Sequence, residues 1–272
     1  MGIKMWIAKR LICLLLFFYI TACSGYTETQ YVERSVNALY NNAIDALEAN
    51  EYLKAANYFE EVERQHPYSI WATKAQLMAA YANYEANEYD DAIIGLDRFI
   101  QLHPGNPDTP YAYYLKALSY YEQITDISRD QLVTEKALKA LRNVARRYPQ
   151  TKYARSARLK IDLTRDHLAG KEMSIGRFYL HKKEYIAAIN RFNRVIKQYQ
   201  TTTHVPEALH RVAEAYVALG LPEEAKKAAS VLGHNYPGSE WYTDSYDLMI
   251  GKNDNKNKKK KGVLTRIWNS VF

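Results

Sequence analysis

The side chains that could do chemistry in this sequence are seven histidines, two cysteines and scattered carboxylates, and their spacing forms no catalytic centre. No glycine-rich phosphate loop, HExxH, CxxC or nucleophile-elbow motif occurs in the chain. His204 and His210 stand six positions apart, which is the wrong spacing for two metal ligands on one helix face. Adjacent acids such as Glu60 and Glu61 diverge around a helix and suit a solvated surface. We therefore expect no enzyme activity, no cofactor and no metal site.

Cys23 has the clearest chemical context. Three basic residues precede the apolar run 11–20, and the sequence Ile20-Thr21-Ala22-Cys23 follows at its end. This arrangement resembles the bacterial lipobox, which implies a diacylglyceryl group on the Cys23 thiol, cleavage after Ala22 and acylation of the new amine. Two or more acyl chains give stable anchoring to a membrane. Residues 1–22 are thus predicted to be a lipoprotein signal peptide and residues 23–32 a lipidated linker.

Two alternatives to the lipidated cysteine stay open at this point. The apolar run is shorter than the roughly 20 residues of a spanning helix, but an extension back to Met5 leaves an uncleaved anchor as one alternative. An incidental or buried cysteine is the other. Ser24, directly after the cysteine, is similar to the residue found in lipoproteins that are sorted to the Gram-negative outer membrane.

The net charge of +7 is concentrated near the ends of the chain. Positions 23–251 hold 27 basic and 29 acidic residues, so the body of the protein is almost neutral. A surface that follows phosphates would need clustered lysine and arginine on the folded elements, and we therefore expect no nucleic-acid binding. Cys13 lies within the predicted signal, so the mature chain is expected to contain no disulfide.

The body of the chain consists of repeats. The sequence Glu48-Ala-Asn-Glu-Tyr52 recurs identically at Glu85–Tyr89. Each of the five segments has an alanine, a second residue four positions after it and a third residue, proline in four segments, twelve positions after it. In order along the chain, these residues are Ala55, Phe59 and Pro67; Ala92, Leu96 and Pro104; Ala137, Leu141 and Pro149; Ala188, Phe192 and Gln200; and Ala225, Ala229 and Pro237. This spacing resembles the second half of the tetratricopeptide pattern.

The repeats predict an all-α fold, a right-handed α-solenoid of five tetratricopeptide-like helix pairs over about residues 33–248. Two insertions are needed to fit the spacing of the repeats. We place one as a loop at 124–131, within repeat three. The other, at 151–171, is predicted to be extra helix turns or a bend near Gly170. The N-terminal repeats 1–3 are assigned to residues 33–150 and the C-terminal repeats 4–5 to residues 151–250.

Tyrosine is unusually frequent, with 24 residues against 7 phenylalanines and 4 tryptophans. In solenoids of this kind the first helix of each repeat lines the inner groove, and counting along the repeats places six tyrosines there: Tyr40, Tyr81, Tyr84, Tyr111, Tyr114 and Tyr121. An aromatic groove suits an extended peptide with apolar or aromatic side chains. Alternatively, half of these tyrosines pack between neighbouring helices. Repeats four and five supply mostly charged residues instead: Arg177, His181, Glu207, His210 and Glu214.

The end of the chain, 251–272, is predicted to be a lysine-rich tether followed by a short amphipathic segment. Ile267 and Trp268 lie on the apolar face of that segment together with Val263, Leu264 and Val271. Ten residues are too few for a stable isolated helix, so this face should become ordered on a partner or at a lipid surface. We favour a protein partner for Ile267 and Trp268.

The order of several segments resembles the BamD family of outer-membrane β-barrel assembly lipoproteins. These segments are the lipobox, Asp97–Pro104, Ala145–Tyr153, Asp166–Ala169 and Ile175–Leu180. The resemblance implies a non-enzymatic scaffold, anchored by lipid to the outer membrane and facing the periplasm. It implies that the N-terminal repeats bind unfolded outer-membrane proteins and that the C-terminal repeats dock on a BamA-like barrel protein, with other assembly lipoproteins as further partners.

By the same resemblance, Arg191 contacts the barrel partner, because the Asn190-Arg191 pair stands where the family has its contact arginine. The sequence departs from the family at Gln200 and in its lysine-rich tail. The alternative function is that of another tetratricopeptide outer-membrane lipoprotein, such as a secretin pilotin or a coordinator of cell-wall synthesis.

Overall fold

The computed structural model describes residues 33–127 and 129–250, and these residues form helices and connecting turns without a strand. Residues 36–127 and 129–250 belong to one compact unit. The described part of the chain contains eleven helices: α1 Val36–Glu48, α2 Tyr52–Gln65, α3 Ile70–Glu85, α4 Tyr89–Leu102, α5 Thr109–Glu122, α6 Leu132–Arg147, α7 Lys152–His181, α8 Tyr185–Gln198, α9 Val205–Ala218, α10 Pro222–Asn235 and α11 Glu240–Met249. Consecutive helices form five pairs, and α11 packs on α9 and α10 at the end.

The repeat positions found in the sequence form the core of the helix pairs. The alanines and the large apolar residues four positions later are fully buried in the first four repeats; they are Ala55, Phe59, Ala92, Leu96, Ala137, Leu141, Ala188 and Phe192. Residues four positions apart lie on the same helix face, so each small–large pair brings the two helices of a repeat together. The predicted all-α repeat fold is confirmed.

The turn inside a helix pair has the same backbone conformation in four of the repeats. One residue of each turn has a positive φ: Asn50 (59°), Asn87 (63°), Lys183 (64°) and Gly220 (74°). Glycine and asparagine tolerate the left-handed region, whereas lysine adopts it at a cost in free energy. The repeated turn therefore sets the angle between the paired helices even where the residue is unfavourable.

Both predicted insertions can be located. Residues 123–131 connect α5 to α6, as the sequence predicted for the loop of repeat three. The second insertion forms extra turns of α7, which runs unbroken through 30 residues. Gly170 is not a helix break. A Cβ at Gly170 would lie 3.4 Å from Nε2 of His204, an ordinary van der Waals contact, so the packing against the connection before α9 does not require glycine.

The second helix of each pair ends at a constant position. The C-cap residue precedes a proline in four repeats, as in the His66-Pro67 and His103-Pro104 sequences. In the fourth repeat Gln200 replaces the proline, yet α8 still ends at Gln198 with Tyr199 as its C-cap. The geometry of the repeat therefore ends this helix without the help of proline.

Candidate peptide-binding groove

Helices α3, α5 and the first half of α7 place five tyrosines next to one another. Tyr81 and Tyr84 are one turn apart on α3, Tyr111 and Tyr114 are one turn apart on α5, and Tyr153 lies in the first turn of α7. We call these five residues the tyrosine cluster. Side chains three positions apart share a helix face, so each helix presents a pair of phenol rings to its neighbour.

Tyr153 joins α7 to both tyrosines of α5. Its ring centroid lies 5.5 Å from that of Tyr111 and also 5.5 Å from that of Tyr114, with tilted planes. The hydroxyl of Tyr114 is 2.6 Å from Oγ of Ser156, one turn further along α7. These contacts fix the orientation of the rings. The sequence analysis missed Tyr153, because it falls inside the segment that was treated as an insertion.

All five rings are partly buried. Tyr81, Tyr84 and Tyr111 pack against the cluster around Leu77 and Leu115, while Tyr114 and Tyr153 pack against Leu141 and its buried neighbours. Each tyrosine thus buries its ring edge between helices and leaves part of its surface open. These contacts show the packing between helices that the sequence left as an alternative, and the lining of a groove by these tyrosines stays a prediction.

Three phenol groups of the cluster, those of Tyr81, Tyr84 and Tyr111, have a raised pKa. Burial is the main cause that raises the pKa of Tyr84 to about 12, with the Glu122 carboxylate as the next cause. Burial also raises the pKa of Tyr111, followed by the effects of Tyr81 and Tyr153. The pKa of Tyr81 is raised by burial and then by its hydrogen bond to Glu85. The hydroxyl groups of these three residues therefore stay protonated; that of Tyr81 donates to Glu85, and those of Tyr84 and Tyr111 can donate a hydrogen bond to a peptide backbone.

Charged groups border the cluster on two sides. On one side, Glu85 and Glu122 are the carboxylates that help to raise the pKa of the two tyrosines on α3. On the side of α7, Nζ of Lys160 lies 4.2 Å from the ring centroid of Tyr121, and Nζ of Lys152 lies 5.3 Å from that of Tyr153. The aromatic surface thus has carboxylates on one side and ammonium groups on the other. Tyr121, which the sequence placed in the groove, lies at the lysine side.

Tyr40 differs from the expectation. Its side chain is 8% exposed, and its ring lies 4.8 Å from that of Trp71 and 5.5 Å from that of Phe59. Trp71, at the start of α3, covers the position that would otherwise face the groove. We therefore assign Tyr40 to the core of the first repeat instead of to the peptide-binding surface.

The charged positions of repeats four and five are engaged within the protein. Nη1 of Arg177 is 2.9 Å from a carboxylate oxygen of Glu207, which pairs α7 with α9. His210 is 6% exposed, and its Nδ1 lies 2.8 Å from Oγ of Ser245 on α11. The predicted contrast with the tyrosine half is present, but His210 is a buried residue and does not line the groove.

Arg191 lies on α8 and forms an ion pair with α7. Its Nη1 is 3.1 Å from Oε2 of Glu172, while Nη1 of Arg194 is 2.9 Å from Oε1 of the same carboxylate. The side chain of Glu172 is 12% exposed, and those of Arg191 and Arg194 are 33% and 50% exposed. Glu172 thus holds two arginines side by side at a surface where each guanidinium keeps donors free.

Three of the predicted site residues, Cys23, Ile267 and Trp268, lie outside the described residues. Within residues 33–127 and 129–250 no group of histidine, cysteine and carboxylate side chains could hold a metal ion. In that same part of the chain, no helix has the length and apolar character needed to cross a membrane.

The fold is that of a helical-repeat protein of the tetratricopeptide class. Solved structures that resemble it include the TPR2AB domain of yeast Sti1 in complex with an Hsp90 peptide (TM-score 0.41, 13% identity, covering 79% of this chain and 82% of that one). A thermophilic TPR protein of Thermus thermophilus is also similar (TM-score 0.36, 17% identity, covering 80% and 98%).

Sequence comparison specifies the family. A family model described as an outer membrane lipoprotein, YfiO, matches residues 32–232. The outer membrane protein assembly factor BamD of Caulobacter vibrioides is 53% identical over 239 residues, covering 87% of this chain and 77% of that protein. BamD of Rickettsia prowazekii is 49% identical, covering 84% and 90%. The chain belongs to the BamD family of outer-membrane protein assembly factors.

Proposed function

We propose that this protein is a lipid-anchored scaffold of the β-barrel assembly machinery. It binds segments of unfolded outer-membrane proteins at the tyrosine cluster and docks through repeats four and five on a BamA-like barrel protein. The lipid on Cys23 holds it at the outer membrane with its helices in the periplasm. Other assembly lipoproteins are its further partners. The family supports a role in outer-membrane protein assembly.

The tyrosine cluster is the observation that carries the proposal for substrate binding. Strands of outer-membrane barrels alternate apolar and polar residues and carry aromatic residues at both membrane interfaces. A groove of partly buried rings offers such side chains edge and face contacts. The neutral hydroxyl group of Tyr84 can donate a hydrogen bond to a carbonyl group of an extended chain, and the oxygen of Tyr81, whose hydrogen is donated to Glu85, can accept one from an amide. The site therefore suits a short unfolded segment better than a folded surface.

The ion pairs of Glu172 support the docking proposal. A guanidinium presents several donors in a planar fork, so Arg191 can keep its bond to Glu172 and still meet a carboxylate on a partner. Because Glu172 is largely buried, it holds Arg191 in one orientation before the partner arrives. A side chain that is already oriented loses less entropy on binding.

The test is peptide binding by a double variant, Tyr81→Ala with Tyr84→Ala. The probe is a synthetic peptide that corresponds to the last transmembrane strand of an outer-membrane barrel protein. We expect a loss of roughly tenfold or more in affinity at unchanged helicity, since each aromatic contact contributes on the order of 1 kcal/mol. The matched control is Tyr68→Ala with Tyr246→Ala, two exposed tyrosines outside the cluster. Unaltered affinity in the folded Tyr81 and Tyr84 variant would refute the proposed site.

A further inference from the structure

The body of the chain is almost neutral overall, but it contains two regions of opposite charge. Residues 33–110 contain 13 acidic and 5 basic side chains, whereas residues 136–165 contain 10 basic side chains and one acidic side chain, Asp162. The basic region comprises most of α6 and the first half of α7. The middle of the chain is therefore strongly cationic and is preceded by two acidic repeats.

Four of these cations form a row along the outer side of α6. Lys136, Lys139, Arg142 and Arg146 are all exposed, and they recur every three or four residues over three turns. The opposite face of the helix is fully buried at Ala137, Leu141 and Val144. We call these four residues the α6 basic row. Leu132, which is 54% exposed, lies at the start of the same side of the helix.

Glu135 is the carboxylate on this side of α6, and within the described residues no ion pair joins it or another carboxylate to the α6 basic row. Lys116, which lies near the row, is paired with Asp97 on α4. In the row itself, the recorded side-chain contact is that of Lys136, whose Nζ lies 6.0 Å from the ring centroid of Tyr120. Cations on one face repel each other, and because no ion pair offsets them the row is available to an external anion.

The row borders a cleft of about 1160 Å³ that also has apolar and tyrosine side chains. Leu138, Ile161 and Leu168 contribute apolar surface, and Tyr113, Tyr120 and Tyr199 contribute phenol rings. Cations next to tyrosine and exposed leucine are the side chains that favour the interface between water and lipid, where the headgroups are charged and the layer below is apolar.

We propose that the α6 basic row binds the anionic phospholipid surface of the membrane to which the protein is anchored. The inference rests on the proposed lipid at Cys23. Residues 23–35 between that cysteine and α1 reach at most about 47 Å, so the helices remain close to the bilayer. An anionic surface attracts the cationic region and repels the acidic repeats 1 and 2, and it thereby sets the orientation of the tethered protein.

The test is binding to lipid vesicles by the chain that begins at residue 23 with Cys23→Ser, which carries no lipid. Vesicle binding by the α6 basic row is then measured without the lipid anchor. A failure of the row to bind lipid is therefore distinguished from a failure of the proposed anchoring at Cys23. The vesicles contain phosphatidylethanolamine with one quarter phosphatidylglycerol, or phosphatidylcholine in place of the phosphatidylglycerol. We expect binding to the phosphatidylglycerol vesicles that weakens as salt is raised from about 0.15 M to higher concentrations.

The decisive variant changes Lys136, Lys139, Arg142 and Arg146 to glutamine. We expect its partition onto phosphatidylglycerol vesicles to fall at least about tenfold, because each cation near an anionic surface adds to binding. The matched control changes Lys182, Lys197, Lys226 and Lys227 to glutamine; these lysines are exposed and lie on α8, α10 and the turn before α8. The control keeps the lysine-rich tail and removes the same total charge.

Equal partition of the two variants would overturn the proposal, because binding would then depend on total charge or on the tail. A loss of co-purifying proteins from the α6 variant with unchanged vesicle binding would also overturn it and would make the row a docking surface for an acidic protein. The double variant Lys136→Gln with Lys139→Gln is expected to give an intermediate loss. Circular dichroism checks that these exposed substitutions leave the helices intact.

Discussion

The ring of Tyr153, at the start of α7, lies 5.5 Å from the ring of Tyr114 on α5. This contact brings the first half of α7 against the N-terminal repeats, past the boundary predicted at residue 150. The tyrosine cluster therefore takes side chains from three helices, α3, α5 and α7. Because α7 is 30 residues long, one helix packs against both the N-terminal and the C-terminal repeats.

Replacement of Tyr153 should separate the role of its ring from that of its hydroxyl. Tyr153→Ala removes two ring contacts, and we expect peptide affinity to fall by roughly fivefold, about 1 kcal/mol. Tyr153→Phe keeps the ring contacts with Tyr111 and Tyr114 and should bind almost as the parent does. Fluorescence titration with the barrel peptide measures the peptide affinity of both variants. Parent-like affinity of the alanine variant would show that α7 is not part of the binding surface.

The sequence predicted the core well because a small residue and a large residue four positions apart are a local pattern. Ala55 with Phe59 and Ala188 with Phe192 are fully buried, as the repeat spacing requires. The proline that follows the second helix of a pair predicted where that helix ends, for the same reason. These features depend on residues that are close in the chain, so they could be predicted without knowledge of the packing between repeats.

The groove was predicted only in part because it depends on contacts between distant residues. Tyr40 has the expected repeat position, yet Trp71 from the next repeat covers it. Tyr153 joins the cluster because α7 continues as one helix, and the sequence left extra turns and a bend as alternatives. The sequence does contain a signal for this helix, because Tyr153, Ser156 and Lys160 have the spacing of residues on one helix face.

Arg191→Glu should disrupt the proposed docking on the barrel partner. The new carboxylate faces the acidic groups that Arg191 is proposed to meet and also lies beside Glu172, so we expect recovery of the complex to fall about tenfold or more. Arg194→Glu is the control, because it places the same charge beside the same Glu172. Co-purification from membranes measures the complex, and equal losses in both variants would contradict a specific role for Arg191.

Cys23→Ser should abolish membrane anchoring. Without the thiol no diacylglyceryl group can be attached, and we expect an unprocessed precursor or a chain in the soluble fraction. Cys13→Ser is the matched control, since this cysteine lies in the predicted signal segment and should not affect processing. Fractionation and the mass of the mature chain provide the measurement. Equal membrane content of the Cys23→Ser variant and the parent would exclude lipid as the anchor.

Lys183→Gly should stabilise the protein. Lys183 has a φ of 64° in a turn where the other repeats use asparagine or glycine, so glycine removes an unfavourable backbone conformation. We expect the free energy of unfolding in urea to rise by about 0.5–1 kcal/mol. Lys182→Gly is the control; this residue has a φ of −75°, and glycine there should leave stability unchanged or lower it. A gain of equal size in both variants would rule out the turn as the cause.

His210 should make the stability of the C-terminal end depend on pH. Burial lowers the pKa of His210, the nearby Arg211 lowers it further, and Glu214, Asp244 and Glu207 oppose the shift. The neutral ring lies against Ser245 and Trp241, which join α9 to α11. The unfolded chain therefore takes up a proton on this residue at a higher pH than the folded chain does.

The sign of the effect follows from that difference. The contribution of His210 to stability is complete above the unfolded pKa, about 6.5, and is lost as the pH falls from there through the lower folded pKa. We expect the free energy of unfolding to decrease between pH 7.5 and pH 5, with a smaller decrease in His210→Gln. His234→Gln, a change at an exposed histidine, should show the same decrease in the free energy of unfolding between pH 7.5 and pH 5 as the parent does. If His210→Gln shows the same slope as the parent, protonation of His210 does not loosen the contact between α9 and α11.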